Sequence, residues 1–300
     1  MSPTPKRLTV ADFDPEVLSL FNQYVHGQLG RRGFLDRAAR FATGGASAAG
    51  LLAALSPNFA LAQKVSPSDA RIKNELVEFA SPNGNGKARA LVVRPAQAAG
   101  PLPAVVVIHE NRGLNPHIED IARRLALDNF IAVAPDALFT LGGYPGDEEK
   151  AAALFATLDR AKTSEDFIAA THFARTLAGS SGRVGAVGFC YGGGVVNLIA
   201  TKVPELRAGV AFYGSPPPLD KVGAIKAELL HVFPEHDDRL NASWPAYEAA
   251  LKTAGVKFEA HKYPGTYHGF NNDTTPRFDE AQAKLAWGRT LALFNRTLRG

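Results

Sequence analysis

The segment most informative about the fold is Arg183-Val-Gly-Ala-Val-Gly-Phe-Cys-Tyr-Gly-Gly-Gly194. Its first half is a short apolar run typical of a buried strand, and a helical pattern follows, so Cys190 lies on the turn between strand and helix. The spacing G-x-C-x-G is that of a nucleophile elbow with sulfur in place of oxygen. So tight a turn leaves no room for side chains at Gly188 and Gly192. The alternative is an inert buried cysteine beside a glycine-rich turn, but the position between strand and helix favours a nucleophile.

A helix that begins directly after Cys190 also affects the chemistry of the thiol. Its N-terminus favours negative charge, which lowers the pKa of a thiol and supports an oxyanion. The backbone N–H of Tyr191 is therefore the expected first donor of an oxyanion hole. Cys190 is the only cysteine, so no disulfide can form within the chain, and no G-x-S-x-G offers a serine in its place.

Short strand patterns alternate with longer helical patterns on both sides of this turn. The strand patterns are 75–80, 88–94, 103–110, 130–136, 183–189, 207–214, 227–233 and 256–264. The helical patterns are 118–129, about 147–161, 163–178, 194–203, 244–255 and about 276–298. This alternation predicts an α/β fold with a mostly parallel, doubly wound sheet flanked by helices. Because no linker interrupts it, we expect one catalytic domain over residues 63–300.

The partners of the nucleophile follow it along the chain in the order acid, then histidine. His268 comes after the strand pattern 256–264, and loops at the carboxyl ends of strands are where such sheets place their chemistry, so His268 is the expected general base. The acid is expected after 227–233, where Glu235, Asp237 and Asp238 are candidates. Spacing favours Asp237, although either aspartate could instead cap the next helix or pair with an arginine.

The loop after the strand pattern 103–110 offers the remaining parts of a site. The backbone N–H of Asn111 is the candidate second oxyanion donor, and Glu110 is expected to direct a carboxylate into the same cleft, unless it is a surface residue. The pair His109-Glu110 does not make a zinc protease motif, because position 113 is Gly where H-E-x-x-H needs histidine. No P-loop or G-x-G-x-x-G occurs, so we expect no metal and no organic cofactor.

Composition excludes several other classes of protein. With 46% hydrophobic residues and a net charge of +4, the chain is not intrinsically disordered. No basic stripe with interleaved aromatic residues is present, so nucleic acid is not an expected partner.

The first 62 residues have the character of an export leader. Arg31-Arg32 precede a moderately apolar, Ala/Gly-rich stretch that ends in Ala60-Leu61-Ala62, a small-x-small cleavage pattern. The arginine pair resembles a twin-arginine (Tat) signal, which predicts transient contact with the Tat machinery, cleavage before Gln63 and a periplasmic or exported mature protein. The apolar stretch is too rich in glycine to be a stable membrane anchor.

The same residues allow a second interpretation. Val17, Leu18, Phe21, Tyr24 and Val25 follow the spacing of an amphipathic helix. The alternative to export is therefore a helical N-terminal extension of a cytoplasmic protein.

Several motifs together carry a family resemblance. GFCYGGG, HENRGLN, the APD after the strand pattern 130–136, HDDR and YHGFNN resemble dienelactone hydrolase (carboxymethylenebutenolidase), a cysteine-nucleophile branch of the α/β-hydrolase fold. The likeness covers about residues 70–298, and with the arginine pair it suggests an exported subgroup. The resemblance implies a Cys190/Asp237/His268 triad, a Glu110 that helps to control the thiol proton, and an ester or lactone substrate.

The resemblance fails at two positions. The archetype holds the substrate carboxylate with arginines where this chain has Thr140 and Asn272. The family chemistry is therefore expected, but the lactone specificity is open. A broad carboxylesterase or thioesterase on the same triad is one alternative, and a non-catalytic periplasmic binding protein is another.

Overall fold

The computed structural model describes residues 7–42 and 47–299. Two parts of the expected leader, residues 1–6 and 43–46, lie outside the described residues.

The centre of the molecule is an eight-stranded sheet. Its strands are β1 (Ile72–Ser81), β2 (Gly86–Pro95), β3 (Leu102–Ile108), β4 (Ile131–Pro135), β5 (Ser180–Phe189), β6 (Leu206–Phe212), β7 (Glu228–His236) and β8 (Phe258–Tyr267). They lie in the order β1-β2-β4-β3-β5-β6-β7-β8. The pairs β1·β2 and β2·β4 are antiparallel, and every other neighbouring pair is parallel. The predicted α/β-hydrolase fold with a mostly parallel sheet is confirmed.

Helices cover both faces of this sheet. They are α1 (Pro15–Val25), α2 (Arg31–Ala38), α3 (Ala48–Leu55), α4 (Pro116–Leu127), α5 (Glu148–Ala156), α6 (Arg160–Thr176), α7 (Tyr191–Lys202), α8 (Asp238–Thr253) and α9 (Glu280–Leu298). Helices α4 and α9 contribute buried side chains to the core on one face, and α5, α6, α7 and α8 to the core on the other.

The central strand β3 shows why the sequence reads as a continuous apolar run. Val105 and Val107 belong to the core under α4 and α9, whereas Val106 and Ile108 belong to the opposite core. Successive side chains of a strand point to opposite faces, so a strand covered on both sides must be apolar at every position. This burial fixes the carboxyl ends of the strands, where the loops with chemistry begin.

Helix α8 begins earlier than its sequence pattern predicts. The apolar pattern starts at Trp244, beside Pro245, but the helix starts at Asp238, because the carboxylate of Asp237 accepts a hydrogen bond from the backbone N–H of Leu240. Such capping stabilises the first turn of a helix. Pro245 is accommodated inside the helix.

The N-terminal helices have a hydrophobic core of their own, separate from the two cores that cover the sheet. Helices α1, α2 and α3 share a small hydrophobic core that includes the fully buried Phe34 and Leu55, and the partly buried Tyr267 of β8 packs against it. Helix α1 contains the residues of the predicted amphipathic pattern, and Val17, Leu18 and Phe21 of that pattern are buried. We refer to α1, α2 and the bend between them as the cap. No helix of the described residues has the length and apolar character needed to span a membrane.

Candidate active site

Cys190 occupies a strained turn between β5 and α7. Its φ is 56° and its ψ −113°, a conformation that is costly for a residue with a side chain and that persists only where the surroundings enforce it. The backbone N–H of Cys190 donates to the carbonyl of Phe212 at 3.0 Å, which ties the turn to β6. The chain therefore holds the sulfur in one position above the sheet.

Three of the glycines around the turn are required by close backbone contacts. A Cβ at Gly188 would lie 2.1 Å from the carbonyl oxygen of Gly192, and one at Gly192 would lie 2.3 Å from the oxygen of Ile108. A Cβ at Gly193 would lie 2.6 Å from the oxygen of Phe212, so α7 approaches β6 too closely for any side chain. At Gly194 the nearest atoms are 3.6 Å away, which is an ordinary contact. The need for glycine thus ends at Gly193.

His268 and Asp237 form a buried pair. His268 lies just after β8 and Asp237 at the end of β7, and Nδ1 of His268 donates to Oδ2 of Asp237 across 2.6 Å. Only 2% of the surface of each residue is exposed. Asp238 is exposed in the first turn of α8, so the structure places Asp237 rather than Asp238 against His268. The carboxylate fixes the ring tautomer, which leaves Nε2 of neutral His268 as an acceptor.

The sulfur lies within reach of this pair and of a second histidine. Sγ of Cys190 and a ring nitrogen of each of His26 and His268 lie within 4.8 Å of one another. Nε2 of His26 is 3.9 Å from Sγ, and the rings of His26 and His268 meet edge to face with centroids 4.4 Å apart. The structure therefore brings the predicted nucleophile, base and acid together, and adds His26.

The charges in this cluster favour a thiolate. Burial raises the pKa of Cys190, but the charge of His268 and hydrogen bonding with His26 and His268 outweigh it and lower the pKa to about 6. Burial lowers the pKa of His268, but the sulfur charge and the hydrogen bond with Asp237 raise it to about 9. At neutral pH both shifts favour a thiolate paired with an imidazolium, the reactive form of a cysteine nucleophile.

A cavity of about 530 Å³ opens beside the sulfur. Its lining includes the predicted oxyanion donors Asn111 and Tyr191 together with Cys190 and His26. Tyr191 is the first residue of α7, where backbone N–H groups point out of the helix end. The arrangement provides a nucleophile, adjacent N–H groups and space for a small substrate.

A second, smaller cavity of about 60 Å³ lies between the catalytic residues and the cap, and Glu110 lines it. The Glu110 carboxylate accepts a hydrogen bond from Nδ2 of Asn272 at 3.1 Å. Asn272, one of the two positions where the archetype has arginine, therefore holds Glu110 beside the nucleophile. The other position, Thr140, is exposed and lines neither cavity.

Sequence reasoning missed two residues of this site. His26 belongs to the segment that we expected to be a leader, and nothing in its local pattern indicates a role in catalysis. Arg277 is buried in the smaller cavity, its guanidinium 4.9 Å from the centroid of the Phe21 ring, and its Nε and Nη1 have no hydrogen-bond partner. Arg277 lies five residues beyond Asn272, so the expected spacing would not have found it.

Among the described residues, the atoms of His26, Cys190 and His268 are the one group of histidine, cysteine and carboxylate ligands placed to hold a metal ion. The same nitrogen and sulfur atoms are the proton carriers and the nucleophile. Metal binding and hydrolysis at Cys190 would therefore exclude each other.

Comparison with known proteins matches two segments of the chain. The Dienelactone hydrolase family profile covers residues 88–298, and a profile described as YqhI-like covers residues 5–42. An Escherichia coli K12 protein described as a hydrolase fragment is 54% identical over 96 residues, which is 32% of this chain and 82% of its own length.

Longer relatives support the same family. An Escherichia coli K12 protein with the provisional name carboxymethylenebutenolidase is 34% identical over 216 residues, covering 67% of this chain and 79% of its own length. The crystal structure of a Klebsiella pneumoniae protein, provisionally named dienelactone hydrolase, superposes with a TM-score of 0.66 and 29% identity over 75% of this chain and 99% of that one. This chain belongs to the dienelactone hydrolase family and is a hydrolase that acts on ester bonds.

Proposed function

We propose that the protein hydrolyses a small ester or lactone through Cys190, His268 and Asp237. The observation that carries the proposal is the buried contact of 2.6 Å between Nδ1 of His268 and Oδ2 of Asp237 in a cluster that includes the sulfur. This contact engages Nδ1 and leaves Nε2, which has no other hydrogen-bond partner, as the ring nitrogen that can exchange a proton with the nucleophile.

The steps follow from these positions. The proton of Cys190 passes to a histidine, and the electron pair left on sulfur attacks the carbonyl carbon. The backbone N–H groups of Tyr191 and Asn111 stabilise the oxyanion that forms. The C–O bond then breaks, the leaving oxygen takes the proton, and a thioester remains. Water, deprotonated by His268, attacks the thioester and releases the acid, and sulfur recovers its original state.

The substrate class follows from the nucleophile and from the cavity. A thiolate is a good leaving group, so an amide intermediate would expel sulfur again, which favours esters and lactones over amides. The relatives' name, carboxymethylenebutenolidase, supports a lactone substrate. A broad carboxylesterase or thioesterase is favoured instead by one observation, since Asn272 and Thr140 supply no positive charge for a substrate carboxylate.

The test is hydrolysis of a panel with one lactone, one aryl ester and one thioester. We expect Cys190→Ala and Cys190→Ser to lower kcat/KM by about 10³-fold or more while the fold is retained. His172→Gln, which changes an exposed histidine of α6 that lines neither cavity, is the control and should behave as wild type. Unchanged turnover in the Cys190 variants would overturn the triad. A folded wild-type protein that binds but hydrolyses nothing would support the non-catalytic alternative.

The location of the protein is a separate proposal. The arginine pair supports export by the Tat route, but one observation favours the alternative of a retained N-terminal extension. Arg31 forms an ion pair with Glu149 of α5 in the catalytic domain. Cleavage before Gln63 would remove this contact together with the entire cap.

A further inference from the structure

We propose that His26 is a second acid–base residue of this active site, which carries a proton between Cys190 and the leaving group on the side of the large cavity. This inference rests on the proposed ester hydrolysis and adds a residue to it. It would make the N-terminal cap part of the catalytic machinery.

The tautomer of His26 is fixed by a backbone contact. Its Nδ1 lies 2.7 Å from the backbone carbonyl oxygen of Asn22, and a carbonyl oxygen can only accept a hydrogen bond. Nδ1 must therefore carry the hydrogen. In the neutral ring Nε2 is left as an acceptor, and it is this atom that lies 3.9 Å from Sγ of Cys190.

The two histidines line different cavities. His26 lines the cavity of about 530 Å³ and His268 does not, whereas His268 lines the cavity of about 60 Å³ and His26 does not. Only the larger space can hold a substrate of several heavy atoms. A leaving group that departs there would meet His26, and this position supports a role for His26 in its protonation.

Several contacts position His26. The backbone oxygen of the preceding residue, Val25, accepts a hydrogen bond from Nδ2 of Asn111 at 2.7 Å, which joins the end of α1 to the loop of the expected oxyanion donor. Tyr24 donates to the Glu149 carboxylate at 3.3 Å. Together with the Arg277–Phe21 contact, these interactions attach α1 to the catalytic domain. They therefore fix the position of the His26 ring beside Cys190.

The proton balance is simple. Cys190 and the two histidines share one proton, which the thiolate–imidazolium pair places on His268. In the proposed reacting form, the S–H bond of Cys190 has broken, an N–H bond has formed at Nε2 of His26, and His268 is neutral. The electron pair on sulfur then attacks the carbonyl. When the C–O bond of the ester breaks, Nε2 returns the proton to the leaving oxygen and His26 is neutral again. His268, with the Asp237 carboxylate behind it, remains the base for the water that cleaves the thioester.

Leaving-group dependence distinguishes this role from packing. A nitrophenolate needs no proton to leave, whereas an alkoxide does. We therefore compare p-nitrophenyl acetate with ethyl acetate, which share one acyl group, for the wild type and for His26→Phe, which keeps an aromatic ring against His268. General acid catalysis contributes about 10²–10⁴-fold, so kcat/KM for the ethyl ester should fall by about 10²-fold or more, with a much smaller change for the nitrophenyl ester.

Two controls and one substitute variant make this result specific. Gln28→Ala removes another side chain of the cap from the same cavity and should change both esters by similar factors. His172→Gln should change neither. His26→Gln replaces His26→Phe should the latter fail to fold. Equal losses on both esters, or no loss, with His26→Phe would overturn the proposal.

Alkylation of the thiol by iodoacetamide separates failure of this inference from failure of the proposed function, because it needs no substrate. If His26 accepts the thiol proton, His268→Gln should still alkylate faster near pH 7 than the double variant His26→Phe/His268→Gln. Equal rates in the two variants would refute proton acceptance by His26. If the two variants differ in this way but the wild-type protein hydrolyses no ester, only the proposed function is refuted.

Discussion

The Asp237 carboxylate contacts His268 with one oxygen and caps a helix with the other. Oδ2 accepts from Nδ1 of His268 at 2.6 Å, and Oδ1 accepts from the backbone N–H of Leu240 at 3.2 Å. One side chain thus orients the imidazole and fixes the start of α8. Because the helix end holds the carboxylate in place, the imidazole orientation is set before any substrate arrives.

The two adjacent aspartates provide a matched pair of variants. Asp237→Asn should lower kcat by about 10³–10⁴-fold, since an amide favours the wrong tautomer of the histidine. Stability should change by less than about 1 kcal/mol, because asparagine also caps helices well. Asp238→Asn, at an exposed position, should leave kcat close to wild type. Steady-state kinetics and thermal unfolding of both variants check this, and a large loss with Asp238→Asn would contradict the assignment of the acid.

The pH dependence of thiol alkylation should report the thiolate. The pKa of Cys190 is lowered to about 6, so its charged form is favoured, and alkylation should rise through about pH 6 and be nearly level at pH 7–8. In His268→Gln the charge that favours the thiolate is lost, so the midpoint should move up toward that of an ordinary thiol, about 8.5. Rates measured from pH 5 to 10 test this. A wild-type midpoint near 8.5 would show that the ion pair does not form.

The elbow glycines differ sharply in what they tolerate. Gly188→Ala places a Cβ 2.1 Å from a backbone oxygen, so it should destabilise the protein by about 3 kcal/mol or more, or prevent folding. Gly194→Ala, inside α7, meets only ordinary contacts with Ser215 and should be neutral, or stabilising by up to about 1 kcal/mol. Denaturant unfolding gives both values. Equal stability of the two variants would show that the turn is more adaptable than these distances imply.

The mass of the protein isolated from its native cell fraction shows whether the cap is retained or removed. If the cap is part of the site, the active enzyme should keep His26, and its mass should be close to the 31.9 kDa of the whole chain. A chain that begins near Gln63 would support the export leader and would show that catalysis proceeds without His26. Replacing both arginines, Arg31→Lys and Arg32→Lys, should alter the cell fraction only if the Tat route is used.

The catalytic fold could be predicted from the sequence because its signals are local. Gly188, Cys190 and Gly192 define the elbow within five residues, and buried strands of a parallel sheet are apolar at every position. His268 could be found because it follows a strand in the right chain order. Asp237 could be ranked above its neighbour only by spacing, since both of its contacts depend on how β7 and α8 meet.

His26 could not be predicted, for a physical reason. Its proximity to Cys190 arises from the packing of the cap on the catalytic domain, across more than 160 positions of sequence. The arginines, small residues and apolar pattern of this segment also suit an export leader, and composition alone does not distinguish a segment that is removed from one that folds back. The start of α8 could not be predicted for a related reason. It depends on the hydrogen bond between the Asp237 side chain and the first turn of the helix, and not on a periodic pattern of residues.

The chamber beside the nucleophile, the cavity of about 530 Å³, is lined by segments that are far apart in the sequence. His26 and Gln28 line it from the N-terminal part of the chain, and Leu198 and the run Pro216-Pro217-Pro218 line it from the catalytic domain. Changes in the short bend between α1 and α2 can therefore reshape the chamber while the eight-stranded sheet and the elbow stay as they are. Substrate range in this enzyme can thus diversify, in nature or in the laboratory, through a segment that contributes nothing to the central sheet.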